Sequence, residues 1–130
     1  MKIINGEGMV LGRLGSFVAK ELLKGEEIAI INSEKVIITG NKEYIKTNFE
    51  IKRSRFGSSQ KGPKHPAVSE KMVKRVVRGM LPDHRVGRGS EAIKRLKCYN
   101  KIPKEFEGKE IIELNKEKKI KYSKLKELAK

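Results

Sequence analysis

Cysteine occurs once in this chain of 130 residues, at Cys98, and tryptophan does not occur at all. A single thiol excludes an intrachain disulfide framework and any multi-cysteine zinc or iron–sulfur site, so a reducing, intracellular setting is expected. Long apolar runs are also missing. No segment approaches the ~18–20 apolar residues of a membrane span, and the stretch from Met1 to Asn5 lacks the apolar core of a secretory signal. The expectation is a soluble, cytoplasmic protein without a membrane partner. Acidic side chains are scarce, 16 against 31 Lys and Arg, which leaves a formal net charge of +15. That excess demands a polyanionic partner. The hydrophobic fraction of 37% lies below the globular average of ~45–50%, and the charged fraction of 36% above ~25%, so a large solvated or partner-covered surface is implied. The length suits a single domain over residues 1–130, large enough for one core without covalent or metal staples.

The charge is not spread evenly. Residues 1–51 hold seven basic and seven acidic side chains, residues 52–104 sixteen and three, and residues 105–130 eight and six. Thirteen of the fifteen net charges therefore lie in the middle section, which favours a binding surface over a merely solvated one. In the neutral first section, Ile3 and Ile4 run into Gly6-Glu7-Gly8, and Leu11, Leu14, Val18 and Leu22 then follow a 3–4 spacing. Gly25 stops the helix, and Ile28-Ala29-Ile30-Ile31 follows as a nearly continuous apolar run of the kind buried on both faces of a parallel sheet. Together these segments predict a βαβ unit. A second short strand is expected at Val36-Ile37-Ile38, then a helix capped near Asn41 that turns Tyr44, Ile45 and Phe49 inward.

From Lys52 to His65 the sequence KRSRFGSSQKGPKH predicts a basic loop that orders on binding. A helix is expected from about Pro66 to Met80, stopped by Pro82, with another from Ser90 to Leu96 leading into a strand around Lys97-Cys98-Tyr99. The section 105–130 shows a weak strand signal at Ile111-Ile112-Leu114, and a helix capped by Ser123, with Leu125 and Leu128, is expected after it. No internal repeat is present.

Gly6, Gly8 and Gly12 sit where a nucleotide-binding turn would, but the spacing is G-x-G-x-x-x-G, and Arg13-Leu14 stand where a P-loop needs Lys-Ser/Thr. The expectation is that they serve tight turning and close packing. His65 and His84 both lie beside basic residues and prolines, where a phosphate or polar contact suits them better than catalysis. Cys98, in an apolar strand pattern, reads as an inert small hydrophobe. Neither a cofactor nor a small-molecule substrate is expected.

The kind of nucleic acid follows from what the basic section omits. Phe56 and Tyr99 are its only aromatics, which disfavours base-by-base reading of single strands. The two helices expected in it stand too far apart for the three- or four-residue turn of a DNA-reading helix-turn-helix. What remains is backbone and shape recognition of folded RNA. In the helix after Pro66, Met72, Val73, Val76, Val77 and Met80 form one stripe, and Lys71, Lys74, Arg75 and Arg78 occupy the intervening arc, aimed outward from a rigid base. Loops carrying Arg53, Arg55, Lys61, Lys64, His65, Arg85 and Arg88 extend that surface, and Lys94, Arg95 and Lys97 continue it.

These residues also carry a resemblance. Lys61-Gly62-Pro63-Lys64-His65, Val77-Arg78-Gly79-Met80-Leu81-Pro82, the run from Gly89 to Tyr99, and Ile102-Pro103 resemble the ribosomal protein L13 family of the large subunit, archaeal type. Leu11-Gly12-Arg13-Leu14 and Thr39-Gly40-Asn41-Lys42 look like its N-terminal motifs, which adds Arg13 to the expected RNA contacts. The match spans roughly residues 2–104, with departures at Ala67, Val68 and Met72. The resemblance implies a three-layer α/β/α sandwich with a four-stranded, mainly parallel sheet and basic loops. It further implies large-subunit ribosomal RNA and neighbouring ribosomal proteins as partners, a part in early subunit assembly, and no catalysis. The alternative at this point is a small basic Rossmann-like enzyme acting on RNA or nucleotides.

Overall fold

The computed structural model describes residues 1–55, 57, 59, 62–114 and 120–129. Strand β1 (Lys2–Asn5), helix α1 (Leu11–Leu23) and strand β2 (Ile28–Ile31) form the expected βαβ unit, with β1 and β2 parallel in the register Ile3↔Ala29 and Ile4↔Ile30. The helix forms because Leu11, Leu14, Val18 and Leu22 fall on one buried stripe. It ends where Gly25 takes φ +95°, a left-handed conformation open to glycine, with its N–H on the Leu22 carbonyl at 3.1 Å.

Next come β3 (Ile37–Thr39), α2 (Lys42–Ser54), α3 (Ser69–Met80), α4 (Gly87–Lys94), β4 (Leu96–Cys98), β5 (Ile112–Glu113), β6 (Tyr122–Lys124) and α5 (Leu125–Leu128). The main sheet is four-stranded and parallel throughout, in the order β4-β2-β1-β5. Its alternating side chains divide the interior. Ile4, Ile28, Ile30 and Leu96 face the helices and join Leu14, Val18, Leu22, Val73 and Val77 in the larger core. Ile3, Ala29 and Ile31 face the other way and are covered by Phe106, Tyr99 and Ile111. This second cover, a single 3₁₀ turn (Lys104–Phe106) with extended chain around it, is the thin third layer of an α/β/α arrangement. Tyr99 and Phe106 pack edge to face there, 5.4 Å between ring centroids. Each large aliphatic side chain fully buried in this way contributes ~1.5–3 kcal/mol. No helix among the described residues is long and apolar enough to cross a membrane.

Several local expectations are corrected. The strand predicted at 36–38 leaves the main sheet and pairs antiparallel with β6, Ile38 opposite Ser123. Ser123 therefore caps nothing: it is a buried strand residue, and α5 begins after Lys124 without a side-chain cap. Asn41 does cap α2, its Oδ1 accepting from the Glu43 N–H at 3.0 Å, but Tyr44 is 71% exposed. Only Ile45 is fully buried on this helix, with Phe49 one turn on packed against the core; Tyr44 falls about 100° round the helix from Ile45 and misses that stripe. Helix α2 also runs three residues into the predicted basic loop, so Lys52 and Arg53 are helical. Helix α3 starts at Ser69, later than predicted, because Pro66 to Val68 stay outside the helix and Val68 is extended. Helix α4 starts earlier, at Gly87, and yields Leu96 to the strand.

An ion cluster with a covered carboxylate and more exposed lysines ties the start of β1 to the end of α1. Glu21 accepts from Lys2 Nζ and from Lys24 Nζ, the latter at 2.8 Å, and these hydrogen bonds, that of Lys2 foremost, hold its carboxyl down to about 2. An unfolded glutamate titrates near ~4.3. The contribution of the cluster is therefore complete above that value and is lost as pH falls through the folded one. Unfolding midpoints measured from pH 6 down to pH 2 should drop less steeply for Glu21→Gln than for the parent chain; identical acid slopes would remove this account.

Candidate nucleic-acid interface

Helix α3 is the base of the basic surface. Met72, Val73 and Val77 are buried against the larger core, with Val76 partly so. The opposite arc carries Lys71, Lys74, Arg75 and Arg78, which together with Pro66 and Ile93 line an open groove of about 290 Å³. The four cations expected to share a face do so. Lys71, Lys74 and Lys97 also line an adjoining concavity at β4, bounded by Glu70 and Tyr99.

Some of these cations also work inside the molecule. Arg75 Nη1 donates to the Lys64 carbonyl at 2.7 Å, and Arg53 Nη2 to the Pro66 carbonyl at 3.4 Å. These two bonds hold the Lys64–Pro66 segment between α2 and α3. The Arg53 guanidinium lies 5.6 Å from the Phe49 ring centroid, one helical turn back on α2. Lys74 Nζ donates to the Leu96 carbonyl at 3.3 Å. Arg95 is turned inward, its Nη2 on the Leu22 carbonyl at 2.7 Å, an oxygen at the end of α1 that also accepts from the Gly25 N–H.

His65 reports the local field. Partial burial pushes its imidazole below the usual value, and the charges of Arg75, Lys52, Arg53 and Arg55 push it further the same way. The ring is thus neutral at physiological pH and sits where cations from α2 and α3 converge. Lys52 joins this cluster without having been singled out by its charge alone: it stands three residues from Phe49 on α2, a step that shares a face only once the stretch is helical. Arg85 is exposed on the turn between α3 and α4, and Arg88 is exposed in the first turn of α4. Lys94 is exposed near the end of that helix, and Arg13 is exposed on α1. Lys61 lies outside the described residues.

The glycine turn after β1 serves packing. A Cβ on Gly6 would lie 2.8 Å from Val36 Cγ2 and 3.2 Å from the Ile31 carbonyl. Open α/β sheets take ligands at the carboxyl ends of the strands where the order reverses, here between β1 and β5. Side chains bridge that edge: Asn5 Nδ2 donates to Glu113 Oε1 at 3.3 Å, while Asn5 Oδ1 accepts from Asn32 Nδ2 at 3.1 Å. At the far strand, burial pushes the Cys98 thiol up to about 12. Cys98 should therefore resist alkylation in the folded chain and react on unfolding. Replacement by Ala should cost roughly 1 kcal/mol of stability and leave RNA affinity unchanged; loss of affinity with the fold preserved would contradict a purely structural thiol.

The chain is an α/β body that gathers Lys71, Lys74, Arg75 and Arg78 along one helix and bridges the carboxyl ends of its strands with its own side chains. The family model for ribosomal protein L13 matches residues 1–105, and the chain belongs to that family. It is 49% identical over 115 residues to the large ribosomal subunit protein uL13 of Methanosphaera stadtmanae, covering 86% of this chain and 80% of the relative. It is 40% identical over 111 residues to the protein of the same name from Thermoplasma acidophilum, covering 85% and 80%. With the one from Archaeoglobus fulgidus it shares 44% over 108 residues, covering 83% and 68%. Membership of a ribosomal-protein family places the chain outside the enzymes.

Proposed function

We propose that the chain is a structural component of the large ribosomal subunit, located with it in the cytoplasm, that binds ribosomal RNA through its basic surface and supports early assembly of that subunit. The observation that carries this reading is the groove in which α3 presents Lys71, Lys74, Arg75 and Arg78 together, on a chain whose family is ribosomal. The neutral βαβ unit supplies rigidity, and the cations of α3, with Arg85 on the next turn and Arg88 at the start of α4, reach phosphates of RNA helices that repel one another. Neutralising that repulsion releases counterions and holds the RNA compact, which needs no chemical step and no cofactor. Neighbouring large-subunit proteins complete its surroundings. The protein should co-sediment with large subunits, and its depletion should stall their maturation while small subunits accumulate. Normal large-subunit profiles after depletion would overturn the proposal.

A further inference from the structure

Between the end of α2, the Lys64–Pro66 segment and α3 lies a second cavity, of about 260 Å³, which shares Pro66 and Arg75 with the groove outside it. Its apolar interior is made by Leu11, Met72 and Val76, with the Phe49 ring beside them, while Lys52, His65 and Arg75 supply its polar groups. We propose that this cavity receives one unstacked purine base of a bound RNA, with Lys52 and Arg75 on the phosphates that flank it. The proposal rests on the RNA-binding reading above and names the part of the RNA that reading leaves open.

Size, chemistry and rigidity support it. An apolar cavity of ~150 Å³ suffices for benzene, so one of this volume has room for a two-ring heterocycle. Sequence-specific RNA recognition works on bases splayed out of the helix, stacked on flat side chains and hydrogen-bonded at their edges. Phe49 offers such a face, and His65, held neutral by burial and by the surrounding cations, offers a ring with one donor and one acceptor. The cationic rim fits a nucleotide and repels the basic side chains that a second ribosomal protein would present. The site is also built in advance: the bonds from Arg75 to the Lys64 carbonyl and from Arg53 to the Pro66 carbonyl already fix its outer wall. One base in one cavity is compatible with the scarcity of aromatics, which argues only against reading a long single strand.

Gly79 allows the cavity to be closed without disturbing the helix. It lines the cavity, and a Cβ built on it meets nothing within 4 Å. Gly79→Leu puts a side chain into that space while improving helix propensity. The probes are an RNA hairpin with a single unpaired 2-aminopurine bulge and the same hairpin fully paired, titrated against the full chain at fixed salt. The parent protein should bind the bulged hairpin about tenfold or more tightly than the paired one and change the fluorescence of the bulge on binding. Gly79→Leu should lose that preference and keep its affinity for the paired hairpin. Phe49→Leu, which keeps an apolar side chain and removes the flat ring, should reduce the preference in the same direction. A parent chain that binds both hairpins equally, or a folded Gly79→Leu that keeps the preference, overturns the cavity proposal alone. Absent binding to both hairpins overturns the RNA-binding reading as well.

Discussion

Reversing Arg75 and Arg78 together to Glu is expected to lower RNA affinity by at least about a hundredfold at low salt, while reversing Lys20 and Lys24 should change it only a few-fold. The two pairs carry equal formal charge and differ in where the fold puts them. Arg75 and Arg78 line the groove of α3. Lys20 and Lys24 belong to the neutral first third, and Lys24 is already paired with Glu21 at 2.8 Å. If ~6–10 phosphates are neutralised, the parent affinity should also fall ~10³–10⁵-fold between 50 and 200 mM salt, and Arg78→Glu alone should flatten that slope. Arg78→Glu is the cleaner single test, because Arg75 also holds the Lys64 carbonyl. Equal losses for the two double reversals, or an affinity indifferent to salt, would mean the surface has been placed wrongly.

Gly89→Ala should destabilise the fold by roughly 2–4 kcal/mol, as overpacking against rigid neighbours does. A Cβ at this position would lie 2.3 Å from the Pro82 carbonyl oxygen and 2.4 Å from that of Asp83. Both are backbone atoms of the turn joining α3 to α4, so no side chain can swing aside. The turn itself must move, and with it Arg85. Two other glycines calibrate the effect by denaturant unfolding. Gly87, at φ +63° with open space around it, should cost only about 1–2 kcal/mol as Ala. Gly12, inside α1 and equally open, should gain roughly 0.5–1 kcal/mol as Ala. A Gly89→Ala chain as stable as the parent would show that the turn is softer than its geometry implies.

The βαβ unit was legible because its signals are local: an apolar period of 3–4 residues, a glycine stop and a four-residue apolar run rich in isoleucine. The arc of cations on α3 was legible for the same reason, since a 3.6-residue period fixes which side chains share a face. Strand β3 was not. Val36-Ile37-Ile38 has the apolar character of a main-sheet strand, and only its pairing with Ser123 and Lys124, far along the chain, takes it into a second sheet. Composition could not show that Arg53, Arg75 and Arg95 would donate to backbone carbonyls. A basic run marks charge, while the hydrogen bonds depend on which carbonyls the fold brings within reach. Lys52 was missed on a boundary, for a residue read as loop has no face to share with Phe49.

Strand β1 lies in the interior of the main sheet, between β2 and β5, and its bond from Asn5 to Glu113 spans 108 residues. Synthesis proceeds from the N-terminus at ~5–20 residues per second, so β1 and β2 can pair while the strand that completes the sheet does not yet exist. For that interval the far side of β1 is an open edge, a row of unpaired backbone groups that invites pairing with another chain. The basic section emerges before Ile112 and Glu113 do. RNA bound to that section early would keep such nascent chains apart by charge until β5 arrives and closes the edge.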